Sequence, residues 1–178
     1  MLLRIVTAAA SAAPHIGTIV DGYAVPVINE RAVRAAAGIL FLGGATAFGF
    51  AAATGSTQPL QPFGILFLVD MMLRVVAGDR WSPSLTLGRL IVRRQRPEWV
   101  GAPQKEFAWW LGIGLGLVTC AGMGLFAAPF ALVLALCGTC LSLLFVETAF
   151  GICPGCHLQR LFTRTPPQHC AGDACITR

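Results

Sequence analysis

Four long apolar runs divide the chain, at about residues 32–52, 60–78, 107–127 and 130–150. Each is close to the ~20 residues that, at ~1.5 Å rise per residue, cross a ~30 Å hydrocarbon layer as a helix. The first, AVRAAAGILFLGGATAFGFAA, is interrupted only by Arg34 near its start. The second, LQPFGILFLVDMMLRVVAG, contains Asp70 and Arg74. The third has no charged residue, and the fourth has none until Glu147. Little more than Ala128-Pro129 joins the last two runs, which predicts a tight helical hairpin.

Composition supports lipid-exposed helices rather than a soluble core. The chain has 178 residues, 56% hydrophobic and 12% charged, where soluble domains carry about 25% charged residues. The fold expected is all-α and integral to a membrane. It is a four-helix transmembrane bundle over residues 21–162, with an N-terminal extension at 1–20 and a cysteine-bearing cytoplasmic tail at 163–178. The start, MLLRIVTAAASAAPHIG, has a short alanine-rich run after Arg4 and reads as a cytoplasmic or interfacial extension, with His15 solvated.

Charge placement orients the bundle. Of the 13 Lys and Arg residues, six (Arg80, Arg89, Arg93, Arg94, Arg96 and Lys105) lie between spans two and three. Arg4, Arg31 and Arg34 lie before or at the start of span one, and Arg160, Arg164 and Arg178 after span four. The connections one-to-two and three-to-four carry none. Basic residues in short loops favour the cytoplasmic side, so both termini are expected there, with the protein in the inner (cytoplasmic) membrane. In SLTLGRLIVRRQRPEW, Leu85, Leu87, Leu90 and Ile91 are interspersed with basic groups. That predicts an interfacial basic helix against anionic lipid head groups. Membrane anchoring accounts for the net charge of +5, so no nucleic-acid partner is expected. Trp109 and Trp110 open span three where an aromatic belt would form. Gly112, Gly116, Gly122 and Gly124 allow close helix contacts, within one chain or in a homo-oligomer.

The candidate chemistry gathers at the exit of the fourth run, ETAFGICPGCH, where Glu147 precedes a C-x-x-C turn. Charge inside a membrane segment is costly and invites a function or a partner. Asp70 and Arg74, four apart on one helix face, can pair. With Asp70 near mid-membrane and Arg74 at a depth comparable to Glu147, a supporting Asp70–Arg74–Glu147 cluster is expected. Gly151 can end the helix and Pro154 can begin another over 154–162, placing Cys153 where a helix N-terminus stabilises a thiolate. Cys153 is expected to be the more exposed nucleophile, Cys156 its resolving partner and Glu147 a proton acceptor. The same thiols, with His157, His169, Cys170 and Cys175 from QHCAGDACITR, could instead hold zinc or copper. Cys120, Cys137 and Cys140, inside the spans, read as small packing residues.

Four segments resemble the bacterial membrane family called domain of unknown function 4395. They are VINERAVRAAAG at 27–38, DMMLR at 70–74, GAPQKEFAWWLG at 101–112 and FVETAFGICPGC at 145–156. The resemblance covers about residues 20–162 and implies a four-helix membrane domain without bringing an activity. The first reading is thiol, disulfide or sulfur handling at the cytoplasmic face, with a thioredoxin-like or sulfur-carrier protein as partner. The alternatives are a metal-binding membrane protein and a non-catalytic structural or partner-binding one. No Ser-His-Asp set, phosphate loop or H-E-x-x-H helix supports a hydrolase or nucleotide enzyme.

Overall fold

A computed structural model describes residues 15–23, 25–155 and 158. The elements run β1 (Val27–Asn29), α1 (Glu30–Thr54), α2 (Leu60–Met72), α3 (Pro83–Val92), β2 (Trp99–Gly101), α4 (Ala102–Gly124) and α5 (Phe130–Phe150). A π-helical turn, Leu73–Ala77, extends α2. Among the described residues four helices are long and apolar enough to cross a membrane: Glu30–Thr54, Leu60–Ala77, Ala102–Gly124 and Phe130–Phe150. Each expected run falls on one of them. Helix α4 stops at Gly124, so the hairpin to α5 is a five-residue connection, residues 125–129, with Ala127 at φ 42°.

Helix starts and stops follow local chemistry. The Asn29 side chain accepts from Arg31 N and caps α1, so the helix takes in Glu30 and Arg31 ahead of its apolar run. Ser82 caps α3 by accepting from Leu85 N, with Pro83 at the first position. Gly151 ends α5 in the left-handed region at φ 68° and donates to the Glu147 carbonyl.

Helix α5 packs against both α1 and α4, α2 lies against α4 and α1, and α3 lies across the start of α1. The main core joins Val33, Ala36 and Leu40 of α1 to Phe67 and Met71 of α2, Leu85 of α3, and Trp109 and Ile113 of α4. At Gly88 the axes of α3 and α1 come so close that a Cβ would run into the Ala32 carbonyl oxygen and lie 3.0 Å from Ala36 N. Outside this core the surface is apolar. Val133 is the only buried residue of α5, while Leu132, Leu143, Phe145 and Phe150 are exposed. An apolar surface that large on an isolated chain calls for a covering phase or partner.

A short antiparallel ribbon, absent from the all-α expectation, pairs Val27 with Gly101, Ile28 with Val100 and Asn29 with Trp99. Each strand runs directly into a helix, β1 into α1 and β2 into α4. Part of the N-terminal extension packs on this end. Ile16 is buried, Thr18 bridges to Val27, and the His15 ring lies 2.9 Å from the Val75 carbonyl. His15 is therefore engaged rather than simply solvated.

Candidate functional site

The polar residues collect at the end of the bundle where α1 and α4 begin and α5 finishes. Two buried ion networks stand there. In the first, Asp70 takes both acceptor roles of a fork. Its Oδ2 accepts from Arg74 Nη2 at 2.9 Å and Nε at 3.1 Å, and from Ser84 Oγ at 2.7 Å. Its Oδ1 accepts from Ser82 Oγ at 2.8 Å and Ser84 N at 2.9 Å. Arg74 also donates to both serine hydroxyls and lies over the Trp109 ring, 5.3 Å from its centre. A charge this deeply buried is tolerated because every polar face has a partner.

The expected Asp70–Arg74 pair is present. Contacts with Ser82 and Ser84 also tie Asp70 to the N-terminus of α3. The carboxylate satisfies the cap and first turn of α3 while it neutralises Arg74.

The second network was not anticipated. Lys105 Nζ, from the first turns of α4, lies 2.7 Å from Glu30 Oε2 and 3.0 Å from Glu147 Oε1. Glu30 and Lys105 are almost wholly buried, and Glu147 is mostly so. Lys105 donates hydrogen bonds to Glu30 Oε1 and Glu147 Oε1, each at 3.0 Å. Glu30 Oε2, although close to the ammonium, has no well-aligned donor. The direct ion-pair partner of Glu147 is thus Lys105, a residue left out of the expected Asp70–Arg74–Glu147 cluster. Helices α1 and α5 pack together, and α4 brings Lys105 between their charged ends. The clue lay in the sequence: Glu30 and Lys105 stand in VINERAVRAAAG and GAPQKEFAWWLG, two of the segments that carry the family resemblance.

Just beyond Glu147, Arg34 reaches from α1 to the last turn of α5. It donates to the Thr148 carbonyl at 3.0 Å and the Ala149 carbonyl at 3.3 Å. A cation at these unpaired carbonyls offsets the negative end of the helix. Arg34 also packs under Gly151, where a Cβ would meet Arg34 Nη1 at 3.1 Å. The chain then turns back onto α4. At Gly155 the approach is so close that a Cβ would lie 2.7 Å from the Ala108 Cβ.

Within that turn Cys153 is 8% exposed and disulfide-bonded. It lacks the access expected of the attacking thiol. Pro154 and Gly155 begin a helical segment, as anticipated. Cys156, His157, His169, Cys170 and Cys175 lie outside the described residues. Cys120, Cys137 and Cys140 are free and partly buried. They share one apolar cavity of about 50 Å³ with Phe63, Gly64 and Met123, so two helices bring these thiols to a common wall.

No curated protein and no solved structure matches the chain. The pattern of the family described as Domain of unknown function (DUF4395) matches residues 28–164. That span takes in both ion networks, α3, the ribbon and the Cys153 turn, and it covers well over half of the sequence. The chain therefore belongs to the DUF4395 family.

Proposed function

We propose that the chain is a four-span membrane protein, with both termini cytoplasmic, that exchanges disulfides with thiols at the Cys153 turn. The single observation that carries the exchange reading is the disulfide at Cys153, in a turn held against α4 beyond the Lys105–Glu147 pair. The membrane reading is supported by four long apolar helices whose outward faces carry Leu42, Ile65, Leu66, Leu117 and Leu143. The orientation is supported by charge: Arg80, Arg93, Arg94 and Arg96 all lie between the second and third long helices, whereas the connections at 55–59 and 125–129 carry no charge.

The chemistry is a two-electron transfer. A thiolate of an incoming dithiol protein attacks the sulfur bonded to Cys153. A mixed disulfide forms, the original S–S bond breaks, and Cys153 leaves as thiolate. The second thiol of the donor then resolves the mixed disulfide, so the donor ends oxidised and the turn reduced. Burial of Cys153 suits this leaving role better than that of first attacker. The C-x-x-C spacing makes Cys156 the second thiol of the proposed pair, and Glu147, at the end of α5, is the proposed acceptor of the proton released as the donor thiol ionises.

Differential alkylation of isolated membranes tests the reading. Samples poised with reduced or oxidised dithiol are trapped, and the Cys153 peptide is quantified by mass spectrometry. Cys153 should shift from disulfide to thiol with the poise, and Cys156→Ser should abolish the shift. A Cys153 that stays in one state at every poise would sink the proposal. Stoichiometric zinc or copper on the reduced protein would assign the turn to metal binding instead.

A further inference from the structure

Helix α3 has two unlike faces, and only one is covered by protein. Ser84, Leu85, Gly88 and Val92 are buried, Gly88 against Ala32 and Ala36 of α1 and Ser84 against Asp70. The opposite face carries Leu87, Leu90 and Ile91, which are 49%, 57% and 61% exposed, and Trp81, just ahead of the helix, is 70% exposed. The three aliphatic residues stand at i, i+3 and i+4, so they form one continuous apolar strip.

The basic residues around this strip are not equivalent. Arg89 pairs with Asp79, and Arg31, on α1, takes Glu98. That leaves Arg80 beside Trp81, and Arg93, Arg94 and Arg96 at the other end of the helix, all exposed and without an acidic partner among the described residues. An apolar strip beside unpaired cations matches one kind of surface: acyl chains below and phosphate above. A soluble acidic partner would meet the arginines but would leave Trp81, Leu90 and Ile91 in water or need a matching apolar patch.

We propose that the outward face of α3 docks on anionic phospholipid of the surrounding bilayer, with Trp81, Leu87, Leu90 and Ile91 in the acyl boundary and Arg93, Arg94 and Arg96 on the head-group phosphates. The rigid seat of α3 on α1 at Gly88 presents this face without reorganisation. Its apolar and cationic parts are complementary to lipid at two depths. The inference rests on the membrane-span reading and is independent of thiol exchange.

The test uses the full chain in nanodiscs of phosphatidylcholine or of an equal mixture with phosphatidylglycerol. Native mass spectrometry reads the lipids retained on release, and brominated acyl chains read the depth of Trp81 as the signal lost in Trp81→Phe. Phosphatidylglycerol should be retained over phosphatidylcholine. Each of Arg93→Gln, Arg94→Gln and Arg96→Gln should lower that preference about fivefold at low salt. Trp81 should be quenched. Failure to incorporate into nanodiscs would count against the span reading itself. In an incorporated protein, equal retention of the two lipids, or a preference untouched by the triple variant, overturns the lipid inference alone. A Trp81 shielded from both brominated lipid and aqueous iodide is covered by protein, which overturns it in favour of a second copy.

Discussion

Lys105 Nζ lies 3.0 Å from Glu147 Oε1, joining the first turns of α4 to the last turn of α5. The same ammonium holds Glu30, so one cation serves two buried carboxylates from helices on either side. Removing it leaves both acids facing each other without compensation. Lys105→Met should therefore cost about 3–5 kcal/mol, the range for breaking a buried pair from one side. Glu147→Gln, which spares the Glu30–Lys105 contact, should cost less. Thermal unfolding in a fixed detergent ranks the two, and an equal or reversed order would refute the shared-cation account.

Asp70 should behave as a structural keystone. It accepts five hydrogen bonds that bind α2, Arg74 and the start of α3. Asp70→Ala strands the Arg74 charge and should cost about 3–5 kcal/mol. Ser82→Ala removes a helix cap and one carboxylate donor, for about 1–2 kcal/mol. Amide exchange across 83–88 should accelerate in both. Unchanged exchange there would show that α3 is held by its packing alone.

How much of this was legible in the sequence depends on which force fixes each feature. The four long helices were visible because every turn of them carries apolar groups. Asp70 and Arg74 were visible as a pair because four residues make one helical turn. The partner of Glu147 was not, since depth along a span does not say which helix faces which. Arg74 and Lys105 both lie near the correct end, and only the packing of α4 against α5 selects Lys105. Glu30 and Lys105 looked like loop charges because each precedes an apolar run, whereas the helices begin earlier than the runs do. The ribbon was hidden because three-residue strands are too short to show an alternating pattern. Cys153 is buried in a turn whose Gly155 lies close against Ala108, a tertiary contact that a C-x-x-C spacing does not encode.

That contact gives a third prediction. In Gly155→Ala the new Cβ cannot fit beside Ala108, so the turn should lift away from α4. With few core residues involved, unfolding temperature should change little. The reduced Cys153 thiol should become several-fold more reactive towards a water-soluble alkylating agent. Unaltered reactivity would mean that something other than this close approach shields the sulfur.

The capping role of Arg34 can be tested separately. Arg34→Met keeps apolar length but loses the donors to the Thr148 and Ala149 carbonyls. A loss of about 1–2 kcal/mol is expected, with local fraying at the end of α5. Arg34→Lys should recover part of it. Exchange protection at residues 147–151 is the readout, and protection equal to the parent in Arg34→Met would exclude the cap.

The ribbon of β1 and β2 acts as a register gauge for the whole charged end. Because Asn29 leads straight into Glu30 and Gly101 straight into Ala102, the strand pairing sets the axial phase of α1 against α4. Slipping the pairing by one residue would shift one helix start by about 3.3 Å against the other and turn the strand's side chains to the opposite face. Lys105 would then miss Glu30. Three paired residues thus decide, at a distance, whether two buried charges meet.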